Sequence, residues 1–246
     1  MNETVARMQS HRSIRDYLDT PVPDAVLREI LEAAWRGPTS INGQHVSLVV
    51  VRDETRRRTI ADLAGGQPWI AQAPVFVTIV ADFHKTDVAL SVAGAKQVIH
   101  ESVEGFATAA LDVGIALANI MTAAQSCGLG VVPIGGIRRD PQAMIELLAL
   151  PPLTFPLAGV ALGYPADLGH TKPRLPYDSF VHQEVYDGTL LVDQIESYDK
   201  NLAEHWRTID RADGEPWSVS IAGFYRRVYY PNVAVAAREQ GFGFEQ

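Results

Sequence analysis

The chain has 246 residues, 47% hydrophobic and 20% charged, with a formal net charge of -8 at pH 7. That balance suits a globular protein with a sizeable core, and its acidity argues against nucleic acid as a partner, since a sequence-independent binder needs a basic face for phosphates. One cysteine, Cys127, excludes an intrachain disulfide and any cysteine-based zinc or iron–sulfur site, and no metal is expected.

Met1 to Ser10 has no apolar h-region, and the apolar stretches elsewhere read as too short or too interrupted to span a bilayer at about 20 residues. A cytoplasmic protein with no membrane partner is expected. From Pro23, Val26, Ile30, Leu31 and Ala34 recur at three- and four-residue spacing up to Gly37-Pro38, which predicts an amphipathic helix. His45 to Arg52 reads as a strand, Glu54 to Ala64 as a helix closed by Gly65-Gly66, and Pro74 to Ala81 as a second strand. A long helix from about Val103 to Cys127 is apolar on nearly all sides, which predicts burial, and Gly128 takes its C′ position. A strand at Gly130 to Ile134, a helix from Asp140-Pro141 through Leu148 and a strand at Leu157 to Leu162 follow. Beyond Lys172-Pro173-Arg174 the chain gains Tyr, Trp and charge, with half-apolar helical stretches at Asp193 to Arg207 and Ser218 to Arg227. These read as a C-terminal extension, about residues 181–246, of one domain spanning 1–246.

The alternation of strands and helices invites a dinucleotide-binding reading, but the glycine loop is missing. Gly128-Leu129-Gly130 follows a helix and precedes a strand, the reverse of the required order, and Pro133 stands where the third glycine belongs. No Walker A loop, GxSxG elbow or HExxH pair occurs.

What is present is charge. His11, Arg12 and Arg15 set three cationic side chains and the Ser13 hydroxyl within five residues, a group suited to a phosphate. Taken alone, the segment reads more readily as a solvated charge run. Lys172-Pro173-Arg174 is a second basic element, stiffened by proline, and alone it is a surface connection. Two such clusters in an acidic chain point together to a small anionic ligand. Between them, the loops at 38–44, 65–67 and 133–136 carry glycine and polar groups where backbone amides can approach a flat ligand.

In order and spacing, HRSIR, PTSINGQ, GGQPWIAQAP, GLGVVPIGGIR, LGYPAD and KPRLP resemble the flavin-dependent nitroreductase family, in its NADPH-flavin oxidoreductase and oxygen-insensitive nitroreductase branch. The resemblance spans about residues 8–180. It implies an α+β fold, a central mixed sheet flanked by helices, in an intertwined homodimer with the C-terminal extension on the partner subunit and FMN at the interface. Carried onto this chain, His11, Arg12, Ser13, Arg15, Lys172 and Arg174 hold the phosphate. Thr39, Ser40 and Asn42 line the ring, Gln67 bonds its edge, and Ile134, Gly135 and Gly136 offer backbone contacts.

The implied activity is ping-pong transfer of hydride from NADPH or NADH to small electron acceptors such as nitroaromatics, quinones or flavins. No catalytic acid or base is expected from the protein, because the flavin does the chemistry. A flavin-sensing protein with little turnover and a reductive dehalogenase-type relative are the alternatives. One departure bears on the donor: Ile209 stands where the branch carries an arginine for the NADPH 2′-phosphate, and Arg207 and Arg211 are out of register.

Overall fold

The computed structural model describes residues 2–211 and 213–244. The chain forms two compact units, Met1–Gly169 with Tyr230–Gln246, and His170–Tyr229. The first holds a four-stranded sheet of β1 (Val46–Val51), β2 (Val75–Asp82), β3 (Gly130–Ile134) and β4 (Thr154–Gly163), in the order β1-β2-β4-β3. Its helices are α1 (Glu3–Gln9), α2 (Asp24–Trp35), α3 (Glu54–Leu63), α4 (Pro68–Gln72), α5 (Phe83–Val92), α6 (Val103–Ser126), α7 (Pro141–Leu147) and α10 (Val233–Glu239). The second unit carries α8 (Leu191–Thr208) and α9 (Trp217–Tyr225).

Every residue of β2 is buried, so both faces of the sheet must be covered. On one face Val75, Val77, Ile79 and Ala81 pack with α2 and α6, and with Ala236, Ala237 and Phe242 after the chain returns from the second unit. On the other, Phe76 and Ala161 pack with Ile60, Ile70, Ile137 and Met144. The β2 residues alternate between the clusters because successive strand side chains point to opposite faces.

The helix and strand classes expected of an α+β fold are present, but the mixed sheet needs correction. Among the described residues all three strand pairings are antiparallel, and the one parallel element is the isolated bridge between Ser13 and Val131. Strand–helix–strand order suggests parallel neighbours, yet β2 and β3, which run the same way, are separated by β4. β4 begins before the predicted Leu157. Pro156, which cannot donate to the ladder, sits where the β2–β4 register shifts between Ile79 and Val80, and the strand continues through that irregularity.

Helix α6 also departs from expectation. Ser102 caps its start by accepting from the Gly105 N–H, and Gly128 at φ 78° lets Leu129 N–H reach the Ala124 carbonyl as the helix ends. Its buried residues form one stripe, Gly105, Ala109, Asp112, Val113, Ala116, Ile120 and Ala124, whereas Leu111 is 65% exposed. Only one side of the helix meets the sheet and α2. Among the described residues it is the single helix long and apolar enough to cross a membrane, contrary to the expectation that no stretch qualifies.

Four helices have no counterpart in the sequence reading. α1 is capped by Asn2 and α5 by Asp82, whose carboxylate accepts from Lys85 N–H. α4 and α10 are short, and their places are set by burial of Ile70 and of Ala236 and Ala237. Phe155, fully buried between Phe106 and Phe242, anchors the first cluster. Phe155→Ala should lower unfolding stability by about 3–5 kcal/mol, read from denaturant midpoints of the purified protein.

Candidate functional site

The segment His11–Arg15 runs as an extended strap beside β3. Ile14 N–H donates to the Val131 carbonyl at 2.9 Å, and Ser13 bridges the same residue. Gly130 permits this approach: a Cβ there would sit 2.7 Å from Ile14 side-chain atoms. Buried Tyr17 ties down the strap's far end, its hydroxyl donating to the Ile14 carbonyl at 2.8 Å. Burial pushes that phenol well above its ordinary value, so it stays protonated.

With Ile14 turned inward, its neighbours face outward. His11 is half-buried, with Nδ1 3.0 Å from Gln125 Nε2, and Arg12 lines a cavity of about 280 Å³ with Arg7, Ser10, Gln125, Gly128 and Gly130. Arg15 is exposed, its guanidinium 5.3 Å from the Trp69 ring centroid. Trp69 belongs to α4, whose N-cap is Gln67, and its indole N–H is buried without a hydrogen-bond partner.

Gln67 donates from Nε2 to the Ala64 carbonyl at 2.8 Å, and a Cβ on Gly136 would collide with that amide. Gly65 and Gly66, at φ 92° and 76°, turn the chain from α3 into this loop. Ile134 and Gly136 are buried at the end of β3, with Gly135 half-buried between them. Thus the structure brings together His11, Arg12, Ser13, Arg15, Gln67, Ile134, Gly135 and Gly136 along one edge of the sheet. Pro133 is exposed on this edge strand, where its missing N–H breaks no β3–β4 ladder bond required of a central strand.

Thr39, Ser40 and Asn42 are held elsewhere in the same unit. Ser40 and Asn42 lie in a 3-10 turn, Ser40–Asn42, whose N-cap is Thr39, and along this segment Ile41, Asn42 and Gln44 have φ of 48°, 56° and 51°. Ser40 N–H donates to Asp112 Oδ2 at 3.0 Å, and Gln44 N–H to Thr39 Oγ1 at 3.0 Å. Beside the turn is a cavity of about 260 Å³ lined by Trp35, Pro38, Thr39, Gln44, Lys85 and Asp112.

Asp112 is 2% exposed in the apolar stripe of α6, and His45 Nε2 lies 2.9 Å from the same Oδ2, at ion-pair distance but outside hydrogen-bond geometry. The His45 ring stacks on Phe83 at 5.1 Å. Neither His45 nor Asp112 was singled out from the sequence. The available signal was a lone carboxylate inside a long apolar helix, which must find a partner.

Lys172 and Arg174 lie in the second unit, both exposed. Lys172 Nζ is 5.2 Å from the Trp206 ring, and Arg174 donates to the carbonyls of Lys172 and Pro173. The strap they occupy is fixed by Tyr198, whose hydroxyl donates to the Pro173 carbonyl at 3.0 Å. Arg207 pairs with Glu204, and Arg211 with Asp213 at 3.0 Å while stacking on Trp206 at 4.6 Å. No cluster of three or more His, Cys, Asp or Glu suited to a metal occurs among the described residues.

The sequence profile of the nitroreductase family matches residues 8–164, and that of the family's C-terminal domain matches residues 172–245. The chain is 44% identical to an FMN reductase [NAD(P)H] of Bacillus subtilis, covering 100% of both chains. It superposes on the structure of B. megaterium NfrA2 with a TM-score of 0.97, at 40% identity over 100% of each chain. It also matches the NADPH:FMN oxidoreductase from Vibrio harveyi complexed with NAD+, with a TM-score of 0.86 and 30% identity over 98% of each chain.

Burial holds His45 below the ordinary imidazole value; Asp112 pulls it upward, Lys85 pushes it further down and Asp82 adds a small upward pull. The native state therefore favours the neutral ring, and in the acid range the unfolded chain binds more protons. Stability should fall as pH drops below about 6.5, the unfolded histidine value, and should not change through His45 above it. Urea midpoints between pH 5 and 8, compared with His45→Gln, check this: the acid-side loss should be smaller in the variant.

Proposed function

The chain belongs to the nitroreductase family, and from that premise we propose that it is an FMN-dependent NAD(P)H oxidoreductase. The observation that carries this reading is the strap paired to β3, which sets Arg12 and Arg15 on the sheet edge that also holds Gln67 and Gly136. The residues fit the cofactor. Guanidinium groups and the Ser13 hydroxyl suit a phosphate, the Gln67 amide and the glycine-bearing end of β3 suit the polar rim of a flat ring, and the buried Trp69 N–H is an unused donor beside them.

When bound, FMN would supply two-electron chemistry between a nicotinamide donor and a small acceptor. The chain's own part is to bind, orient and shield. Arg12, Arg15, His11 and Ser13 hold the phosphate in this reading. Thr39, Ser40 and Asn42 line the ring, with Ile134, Gly135 and Gly136 as its backbone contacts. Lys172 and Arg174 are proposed to add charge to the phosphate on the strength of their residue type. The acceptors proposed are nitroaromatics, quinones and flavins.

Two features support a homodimer with the flavin shared between copies. The cavities at the strap and at the 39–44 turn, about 280 and 260 Å³, are each smaller than a usual cofactor pocket of about 300–1,000 Å³. The turn and the end of α2 also leave apolar side chains uncovered: Ile41 is 97% exposed and Trp35 66%. The second unit, with exposed Tyr177, Phe180, Tyr186 and Phe224, is read as the extension that packs on the other copy. We place the protein in the cytoplasm on its acidic charge and its likeness to FMN reductases. For the donor, Arg207 and Arg211 are each neutralised by a neighbouring acid, which favours acceptance of both NADH and NADPH.

Purified protein mixed with FMN should retain a yellow chromophore that either nicotinamide bleaches under anaerobic conditions, with kcat/KM for the two donors within about tenfold. Colourless protein after FMN addition would overturn the assignment, and a bound flavin that neither donor reduces would restrict it to binding. Arg12→Ala and Arg15→Ala should each raise the FMN Kd roughly ten- to hundredfold, the equivalent of about 1.5–3 kcal/mol for a lost charge-assisted bond, by fluorescence titration. Sedimentation should give a species of twice the 26.9 kDa chain mass.

A further inference from the structure

We propose that the buried His45–Asp112 pair is a positioning latch: Asp112, reaching out of α6, holds the 39–44 turn by the Ser40 N–H and so fixes Thr39, Ser40 and Asn42 toward the flavin. The inference rests on the reading that this turn contacts the cofactor. It concerns two residues that no part of that reading requires.

The turn is not one the chain adopts by preference. Three non-glycine residues, Ile41, Asn42 and Gln44, sit in the left-handed region, and Ile41 is β-branched, the residue type least suited to it. Such backbone persists only where the surroundings over-determine it. Packing within the protomer does not hold Ile41, whose side chain is 97% exposed there.

What does hold the turn is polar and comes from three directions. From within, Gln44 N–H donates to Thr39 Oγ1; from α5, Lys85 Nζ donates to the Gln44 and Val46 carbonyls at 3.0 Å each. From α6, Asp112 Oδ2 accepts from Ser40 N–H at 3.0 Å. Of these anchors only Asp112 is fully buried, on a helix whose position the sheet determines.

Nothing in helix packing requires a carboxylate at residue 112. The stripe on either side is Ala109, Val113 and Ala116, and an alanine there would avoid the cost of burying a charge. His45 completes the device. Its ring, fixed by stacking on Phe83, stands against the same Oδ2, and Nδ1 would lie 2.8 Å from a Cβ on Gly43, so the ring also forms the floor under the turn. One oxygen thus joins the turn, the first residue before β1 and the central helix.

The test compares Asp112→Ala, Asp112→Asn and wild type by hydrogen exchange at residues 40–44 and by FMN titration. In Asp112→Ala the Ser40 amide should exchange at least tenfold faster and the FMN Kd should rise at least tenfold, while β2 amides keep their protection. Asp112→Asn, which retains an oxygen acceptor, should restore both to within about threefold of wild type. Should Asp112→Ala lose protection throughout the sheet, Asp112→Leu, which fills the same buried space and offers no acceptor to Ser40 N–H, takes its place with the same local expectation. Unchanged Ser40 exchange, or an asparagine variant as impaired as alanine, overturns the latch. Faster Ser40 exchange with unchanged FMN affinity overturns the placement of the turn beside the flavin, and with it the positioning role.

Discussion

Complete burial of β2 is the constraint from which the rest of the first unit follows. A central strand apolar on both faces needs a helical layer on each, and the chain supplies α2 and α6 on one and α3, α4 and α7 on the other. With both faces covered, polar function is displaced to the sheet's free edge and to the loops at its ends. The strap from His11 to Arg15 occupies that edge beside β3. Its cations stay outward because Ile14 and Tyr17 turn inward.

The same sandwich explains why α6 is half a core helix. Its small residues let it lie closely on the sheet, while Leu111 and neighbouring apolar positions look away from it. A stripe of this kind is costly for an isolated protomer, and the proposed homodimer would cover it. The one carboxylate in the buried stripe links the helix to the 39–44 turn, so the helix that sets the core also sets the position of a distant loop.

In the second unit the organisation is smaller and more aromatic. Tyr198, Leu202 and Trp206 of α8 form a local core with Leu175 and Trp217, and Asp199 secures the start of α9 by accepting from Ser218. Lys172 stacks on Trp206, so this basic strap is ordered by the unit to which it belongs.

The sequence by itself determined the elements whose signals are local. The 3.6-residue period of α2, the β-branched runs of β1 and β2, the Gly128 stop of α6 and the Asp140-Pro141 start of α7 are each written within a few residues, and the ordered motifs carried the family. Tertiary structure alone decided the rest. Strand order and direction depend on which edges meet: β4 inserts between β2 and β3 although it follows both. The helices α1, α4 and α10 are short, α5 buries only Phe83 and so shows no apolar face, and all four are fixed by caps or by burial against distant residues. The site divides the same way. Its cations and glycines were visible as residue types, but the pairing of Ile14 with Val131, the seat of Gln67 against Gly136 and the convergence of Ser40, His45 and Asp112 join positions up to 117 apart, counting from Ile14 to Val131. No local pattern records which distant partner satisfies a buried carboxylate; the packed fold settles that, because only there does the carboxylate lose water and need one.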